Sequence, residues 1–419
     1  GEPEAALRVL DAAEEREAHR PLGQTAAGPL IEYHRAHLLV SGYARHSSRF
    51  HSRPDLTWCF PSRLDDVAAL ERADPADARA LALLGHWRYA VSRADDAIAA
   101  WRASAVLDPS DPVVWRNLGL AAWNHLGDPD EARAAYDRAL AVAGADARLV
   151  FESDQLDARR GVPPQQRLDR LLDARGLVET RDDATVALAH LLLTAGRFEE
   201  ARALLLGRTF QPWEGGEGEV LRVWDRLCRL AATRPGGSAV AAIDAALDPP
   251  PSLGEARHPL ASTAALQLLR GDALAAAGGE DAARAAWELA ARDGDFLAMS
   301  ADPHSEATYS SVLALRRLGR DAGARECIES LRAWVDALEA TPATVDYFAT
   351  SLPSMLLFTE DPAVAQRRRV AFLRAQLDVL DGAPQQARER LDALLSDDPH
   401  HIDALELLSA LHPVLEEAR

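Results

Sequence analysis

The stretch ARALALLGHWRYAVSRADDAIAAWRASAVLDPSDPVVWRNLGLAAWNHLGDPDEARAAYDRALAVAG, residues 78–144, decides the fold. Gly85 and Gly119 stand 34 residues apart, each directly after a leucine, Leu84 or Leu118. Trp115 stands four residues before Gly119, and Asp108-Pro109 closes the first unit. Downstream of each glycine come an alanine and, four residues on, an aromatic: Ala97 and Trp101, then Ala132 and Tyr136. Spacings of four and seven put Ala97, Trp101 and Ser104 on one helical face, as they do Ala132, Tyr136 and Ala139. The alanine lets two antiparallel helices approach, the glycine removes a side chain where they cross, and the bulky residue fills the gap left by the next hairpin. One such hairpin cannot bury its own apolar stripe, so neighbours must stack.

A period of 34 with these residue types is the tetratricopeptide pattern. Its second-helix trace recurs as Ala6, Leu10, Ala13; as Ala239, Ile243, Ala246; and as Ala283, Trp287, Ala290. Further copies are Ala324, Ile328, Leu331 and Ala387, Leu391, Leu394, with Ala201 and Leu205 as a partial one. Gly271 precedes Ala283 by twelve residues, as Gly85 precedes Ala97. Pro399 and Pro109 end their units, because proline cannot continue a helix. The expected fold is all-α, a right-handed tetratricopeptide-like superhelix of roughly twenty helices with almost no strand. One continuous solenoid, 1–419, is expected: irregular hairpins over 1–76, the most regular repeats over 77–144, irregular repeats over 145–300 and C-terminal repeats over 301–419. Loops are expected at Pro21–Pro29, Arg49–Pro61, Gly207–Gly218, Leu247–Pro259, Asp293–Pro303 and Thr359–Pro362.

Composition agrees. Alanine and leucine dominate and aromatics are 6% of the 419 residues, which favours helix over sheet. All 46 basic residues are arginine and asparagine occurs only at 117 and 124, a codon bias expected of a GC-rich bacterial genome. A net charge of −19 argues against nucleic-acid partners and against anionic membrane surfaces. No run of about 18 apolar residues is present to cross a membrane. The opening Gly1-Glu2-Pro3-Glu4 has no signal-peptide character and no initiator methionine, so a fragment of a longer protein is expected. Cys59, Cys228 and Cys327 lie far apart in no metal spacing, which suits free thiols in a reducing cytoplasm. No G-x-S-x-G, phosphate-binding loop or C-x-x-C occurs, so neither cofactor nor nucleophile is expected.

Several segments are not generic to the repeat: FQPWEGGEG at 210–218, EYHRA at 32–36, FPSRL at 60–64, VWRNLG at 114–119, LGEARH at 253–258 and DYFATSLP at 346–353. In this order they resemble the C-terminal repeat region of large bacterial tetratricopeptide proteins. In those proteins an uncharacterised β-rich domain, akin to the sandwiches of sugar mutarotases, precedes the repeats. The resemblance spans nearly the whole chain and implies an upstream partner domain; it does not imply an activity.

The sequence holds two candidate sites. In the loop Phe210–Gly218, Trp213, Glu214 and Glu217 combine an aromatic face with carboxylates beside two glycines, as sugar binding uses. The structural alternative is that the glutamates cap the next helix and Trp213 fills a gap. The second candidate is the groove of the regular repeats. By register, Arg79, Ala82, His86 and Tyr89 face inward in one unit, and Val113, Arg116, Leu120 and Trp123 in the next, with Asn117 beside them. Tetratricopeptide modules that hold chaperone tails carry a lysine and an asparagine where Ala82 and His86 stand, so that ligand is not expected. Arg116, Tyr89 and Trp123 suit an extended peptide or a sugar chain. The pairs His34/His37 and His400/His401 lack a converging third ligand and read as structural, as does the segment Asp346–Pro353.

The leading functional reading is a non-catalytic scaffold for a protein partner or for the chain's own upstream domain. An accessory arm of a carbohydrate-active enzyme with a glycan ligand is the alternative, and an oligomerisation arm the third.

Overall fold

The computed structural model describes residues 3–18, 30–38, 59–213, 215–234, 238–258, 261–297, 303–343 and 357–417. Among these residues every regular element is helical. Two compact units divide between Leu149 and Val150.

The first unit holds α1 (Pro3–Ala18), α2 (Leu30–Leu38), α3 (Leu64–Glu71), α4 (Ala78–Ala90), α5 (Ala94–Leu107), α6 (Pro112–Ala121) and α7 (Pro129–Ala143), with α8 (Ala147–Arg159) crossing the division. A π-helical turn, Ala122–Leu126, extends α6. Helix starts are set by aspartate caps. Asp77 accepts from the N–H groups of Arg79 and Ala80, Asp111 from Val113 and Val114, and Asp128 from Asp130 and Glu131. Pro112 and Pro129 follow their caps at the first helical position, where no intrahelical N–H is needed.

The second unit holds α9 (Pro164–Asp173), α10 (Arg175–Val178), α11 (Asp182–Thr194), α12 (Phe198–Leu206), α13 (Glu219–Ala232) and α14 (Ala239–Leu247). After a short 3-10 turn, Pro251–Leu253, come α15 (Ala264–Ala276), α16 (Glu280–Leu297), α17 (Thr308–Arg317), α18 (Asp321–Ala340), α19 (Pro362–Leu380), α20 (Pro384–Asp397) and α21 (Ile402–Glu417). Consecutive helices pair as hairpins, among them α4 with α5, α6 with α7, α11 with α12, α13 with α14, α15 with α16 and α19 with α20. The fold is all-α, built of tetratricopeptide-like hairpins, as the repeat frame requires.

The frame residues do the packing expected of them. Ala97, Ala132, Ala201, Ala283 and Ala387 are fully buried, and Trp101 and Tyr136 are buried beside them. A Cβ on Gly85 would overlap the Trp101 ring, one on Gly119 the Tyr136 ring, and one on Gly271 the Trp287 ring. Each glycine therefore seats the aromatic of its own hairpin. The indole of Trp101 donates to the Ala82 carbonyl (3.2 Å) and to His86 Nδ1 (3.0 Å). The indole of Trp287 donates to Asp272 Oδ1 (3.0 Å). In both hairpins the side-chain acceptor is the residue immediately after the glycine; in the tyrosine hairpin that place holds Leu120.

One expected boundary moves. The loop placed at Asp293–Pro303 begins later, because α16 runs on to Leu297. That extension, DFL, is compatible with helix and carries neither glycine nor proline after Gly294 to stop it. The expected segments Pro21–Pro29 and Asp346–Pro353 lie outside the described residues.

Candidate functional site

The first unit contains a cavity of about 530 Å³. Tyr89 and His86 of α4, Arg116 and Asn117 of α6, Arg148 of α8 and Phe60 line it. The floor is Trp101, whose ring lies 5.4 Å from that of Tyr89 and 5.9 Å from that of His86, centroid to centroid.

The polar groups form one ordered chain. Trp101 donates to His86 Nδ1, and Asn117 Nδ2 lies 3.1 Å from the same nitrogen. An indole N–H can only donate, so Nδ1 is the acceptor and the imidazole proton sits on Nε2. Arg116 donates to Asn117 Oδ1 at 3.0 Å, which fixes that amide with its NH₂ toward the histidine. Burial, and after it the charge of Arg116, pushes the His86 pKa down to about 4. The ring is therefore neutral near pH 7. The cavity's charges are Arg116, Arg148 and Asp146. Asp146 is spent on capping α8, accepting from the N–H groups of Arg148 (2.9 Å) and Leu149 (3.0 Å). Asp146 keeps its charge while capping, so the lining holds two guanidinium groups to one carboxylate in a chain of net charge −19.

The groove residues expected from register divide into two sets. His86, Tyr89, Val113, Arg116, Asn117 and Leu120 line the cavity together. Ala82 is buried in the core instead, and Arg79 points to α2, with its guanidinium 3.9 Å from Glu32. Trp123 lies in the π-helical turn and does not line the cavity. Cys59, Phe60 and Arg148 escape a reading by register, because they come from segments outside the regular repeats.

The loop at Phe210–Gly218 is tied into the second unit. Phe210 is buried, and its N–H donates to the Ser252 carbonyl at 2.9 Å. The N–H of Gln211 donates to Asp182 Oδ2 (2.7 Å) and that of Gly218 to Glu255 Oε1 (3.0 Å). Trp213 is partly buried against the hydrophobic core, with its ring seated on Gly216, where any Cβ would overlap it. Glu217 is exposed and Glu214 lies outside the described residues.

Of the two histidine pairs, His34, His400 and His401 serve internal contacts, and the side chain of His37 lies outside the described residues. His34 Nε2 meets Asp66 Oδ1 at 2.8 Å. His400 Nδ1 lies 3.0 Å from the Arg167 guanidinium, which makes the nitrogen the acceptor. His401 Nδ1 accepts the Ala404 N–H at 3.2 Å and so caps α21.

No protein-family model matches the chain. Solved structures similar to it include a tetratricopeptide repeat protein from Parabacteroides merdae ATCC 43184. It is 12% identical, with a TM-score of 0.35, over 80% of this chain and 98% of that one. The structure of Naa15/Naa10 bound to HypK-THB matches at 15% identity and a TM-score of 0.35, over 81% of this chain and 61% of that one. The P58(IPK) TPR domain matches at 15% identity and a TM-score of 0.24, over 81% and 89%. At these overlaps no residue role or ligand carries across, and the site rests on its own geometry.

Proposed function

We propose that the chain is a non-catalytic helical-repeat scaffold whose first unit holds an extended protein segment. That segment belongs to a partner protein or to the upstream domain that the sequence resemblance implies. The observation that carries this reading is the cavity over Trp101. Its histidine is neutral and held in one tautomer, its amide is fixed, and two arginines line it. The thiol in its lining, Cys59, is buried and its pKa is pushed up to about 12, which keeps it protonated rather than nucleophilic. The cavity supplies aromatic surface, directional hydrogen bonds and positive charge, which suit a peptide carrying an acidic side chain.

Screening the full chain against a positional peptide library tests this. The expected result is selection of peptides with a carboxylate at one fixed position, and loss of that selection in Arg116→Gln. A library profile with no positional preference would overturn it. Oligosaccharide binding that Trp213→Ala removes would transfer support to the alternative reading, in which Trp213, Glu214 and Glu217 form part of a glycan site.

A further inference from the structure

In the second unit the last helix meets helices far upstream. Arg226 of α13 donates from Nε to Glu406 Oε1 of α21 at 3.0 Å, and Arg229 donates to Glu406 Oε2 at 2.9 Å. The Arg226 guanidinium is held from behind. Its NH1 donates to the His190 carbonyl (3.1 Å) and to Thr194 Oγ1 (3.0 Å), both on α11. Arg226 is only 5% exposed, so its charge is costly unless a carboxylate faces it. The receptor is thus built by α11 and α13 alone; α21 contributes the anion.

The attachment of α21 has two different characters. Among its described side chains, the buried Ala404 and Leu411 pack with Phe372 of α19 and Leu391 of α20. Among the described residues its side-chain bonds to α13 are the ion pairs of Glu406, and nearby Arg167, on α9, meets His400 just before α21. An apolar interface needs its own shape to re-form, whereas a guanidinium pair accepts any carboxylate presented at the same distance.

We propose that Arg226 and Arg229 form a carboxylate-binding site for an acidic helical segment of a partner protein, with Glu406 as the resident occupant that the partner replaces. Charge selects that partner class. The site offers two arginines, and the helix now filling it carries Asp403, Glu406, Glu416 and Glu417 without a basic side chain other than its histidine. This site is independent of the cavity over Trp101.

The probe is a fluorescein-labelled peptide of sequence 400–417, titrated by anisotropy against the full chain. Weakening the resident occupant by Glu406→Gln is expected to tighten peptide binding at least about tenfold relative to the unaltered chain. Adding Arg229→Gln is expected to remove that gain, and a peptide with Glu406→Gln is expected not to bind. Circular dichroism on each variant confirms that the helices persist, and Arg93→Gln, at an exposed ion pair of the first unit, is expected to leave the titration unchanged. Equal affinity for all variants, or no binding to the Glu406→Gln chain, would overturn the proposal. So would a dimer of the unaltered chain, seen in sedimentation, that Glu406→Gln abolishes, because it would assign the arginine pair to exchange between copies.

Discussion

Replacing Gly85 by alanine is expected to destabilise the first unit, although alanine is the better helix former. In a helix interior the substitution alone gains about 1 kcal/mol. Here the new Cβ falls 2.9 Å from Cε2 of Trp101 and nearer still to two other ring atoms. The ring cannot step aside cheaply. It is 2% exposed, and its N–H is held by the Ala82 carbonyl and His86 Nδ1. Overpacking of this kind costs about 1–3 kcal/mol, and disturbing the indole hydrogen bonds adds about 1 kcal/mol. The collision therefore outweighs the propensity gain, leaving a net loss of about 1–3 kcal/mol. Gly323, in α18, is the control: its nearest atom would be Leu315 Cδ2 at 3.9 Å, so Gly323→Ala is expected to stabilise by about 0.5–1 kcal/mol. Two units make a single unfolding midpoint ill-defined, so the measurement is hydrogen exchange of α4–α7 and of α18 under increasing urea. A double-mutant cycle with Trp101→Leu isolates the cause, since a smaller side chain should shrink the Gly85→Ala penalty. Gly85→Ala protection equal to that of the unaltered chain, or an undiminished penalty on the Trp101→Leu background, would refute the reasoning.

Three further outcomes are expected. Asp272→Leu removes the acceptor of the Trp287 indole, together with the partner that Arg317 holds through two bonds; exchange in α15–α16 should show a loss of about 1–3 kcal/mol. Gly254 has φ +73, and a Cβ there would lie 2.8 Å from the Phe210 carbonyl carbon, so Gly254→Ala should cost at least about 2 kcal/mol and speed proteolysis between Gly207 and Gly218. His86 goes from an ordinary pKa of 6.5 to about 4 in the fold. Between those values the unfolded chain binds the proton and the folded one does not. Stability from this group is complete above about 6.5 and is lost as pH falls toward 4, by at most about 3 kcal/mol. Exchange protection of α4–α7 tracked from pH 7 downward should flatten in His86→Gln, and superimposable profiles for the two proteins would count against the buried neutral imidazole.

Local rules make the frame legible. Glycine, alanine and the aromatic must recur at fixed spacing wherever two helices cross closely, and that requirement is written into each hairpin separately. The cavity is half legible for the same reason: register alone places His86, Tyr89, Arg116 and Asn117. Trp123 stands four residues after Gly119 as Tyr89 does after Gly85, but it sits inside a π-helical turn and does not line the cavity. Gly85 precedes Ala97, and Gly271 precedes Ala283, by twelve residues, whereas Gly119 precedes Ala132 by thirteen. The π-helical turn at Ala122–Leu126 absorbs the additional residue and rotates the side chains beyond it. That count is present in the sequence, so the signal is readable there. The pairing of Glu406 with Arg226 is not, because no local spacing relates residues 180 apart. Such a contact depends on the sum of all intervening hairpin rotations.

Frame residues and site residues are not separate sets in the first unit. Trp101 is the repeat's space-filling aromatic, yet its N–H is also the group that assigns the His86 tautomer and turns Nε2–H into the remaining donor. The constraint runs in both directions. A tryptophan at the frame position brings a polar N–H into the hairpin core, and a side chain after the glycine accepts from it, His86 in one hairpin beside the Ala82 carbonyl and Asp272 in another. Where the aromatic is Tyr136, the residue after Gly119 is Leu120, and no such acceptor stands there. The identity of the aromatic therefore governs whether the groove-facing helix carries a polar group at that level. Changing Trp101 to another large apolar residue would remove one of the two donors to His86 Nδ1 and leave Asn117 alone to hold the tautomer. In Trp101→Phe the signature to look for is a binding loss larger than the roughly 1 kcal/mol of stability that the missing indole bonds remove.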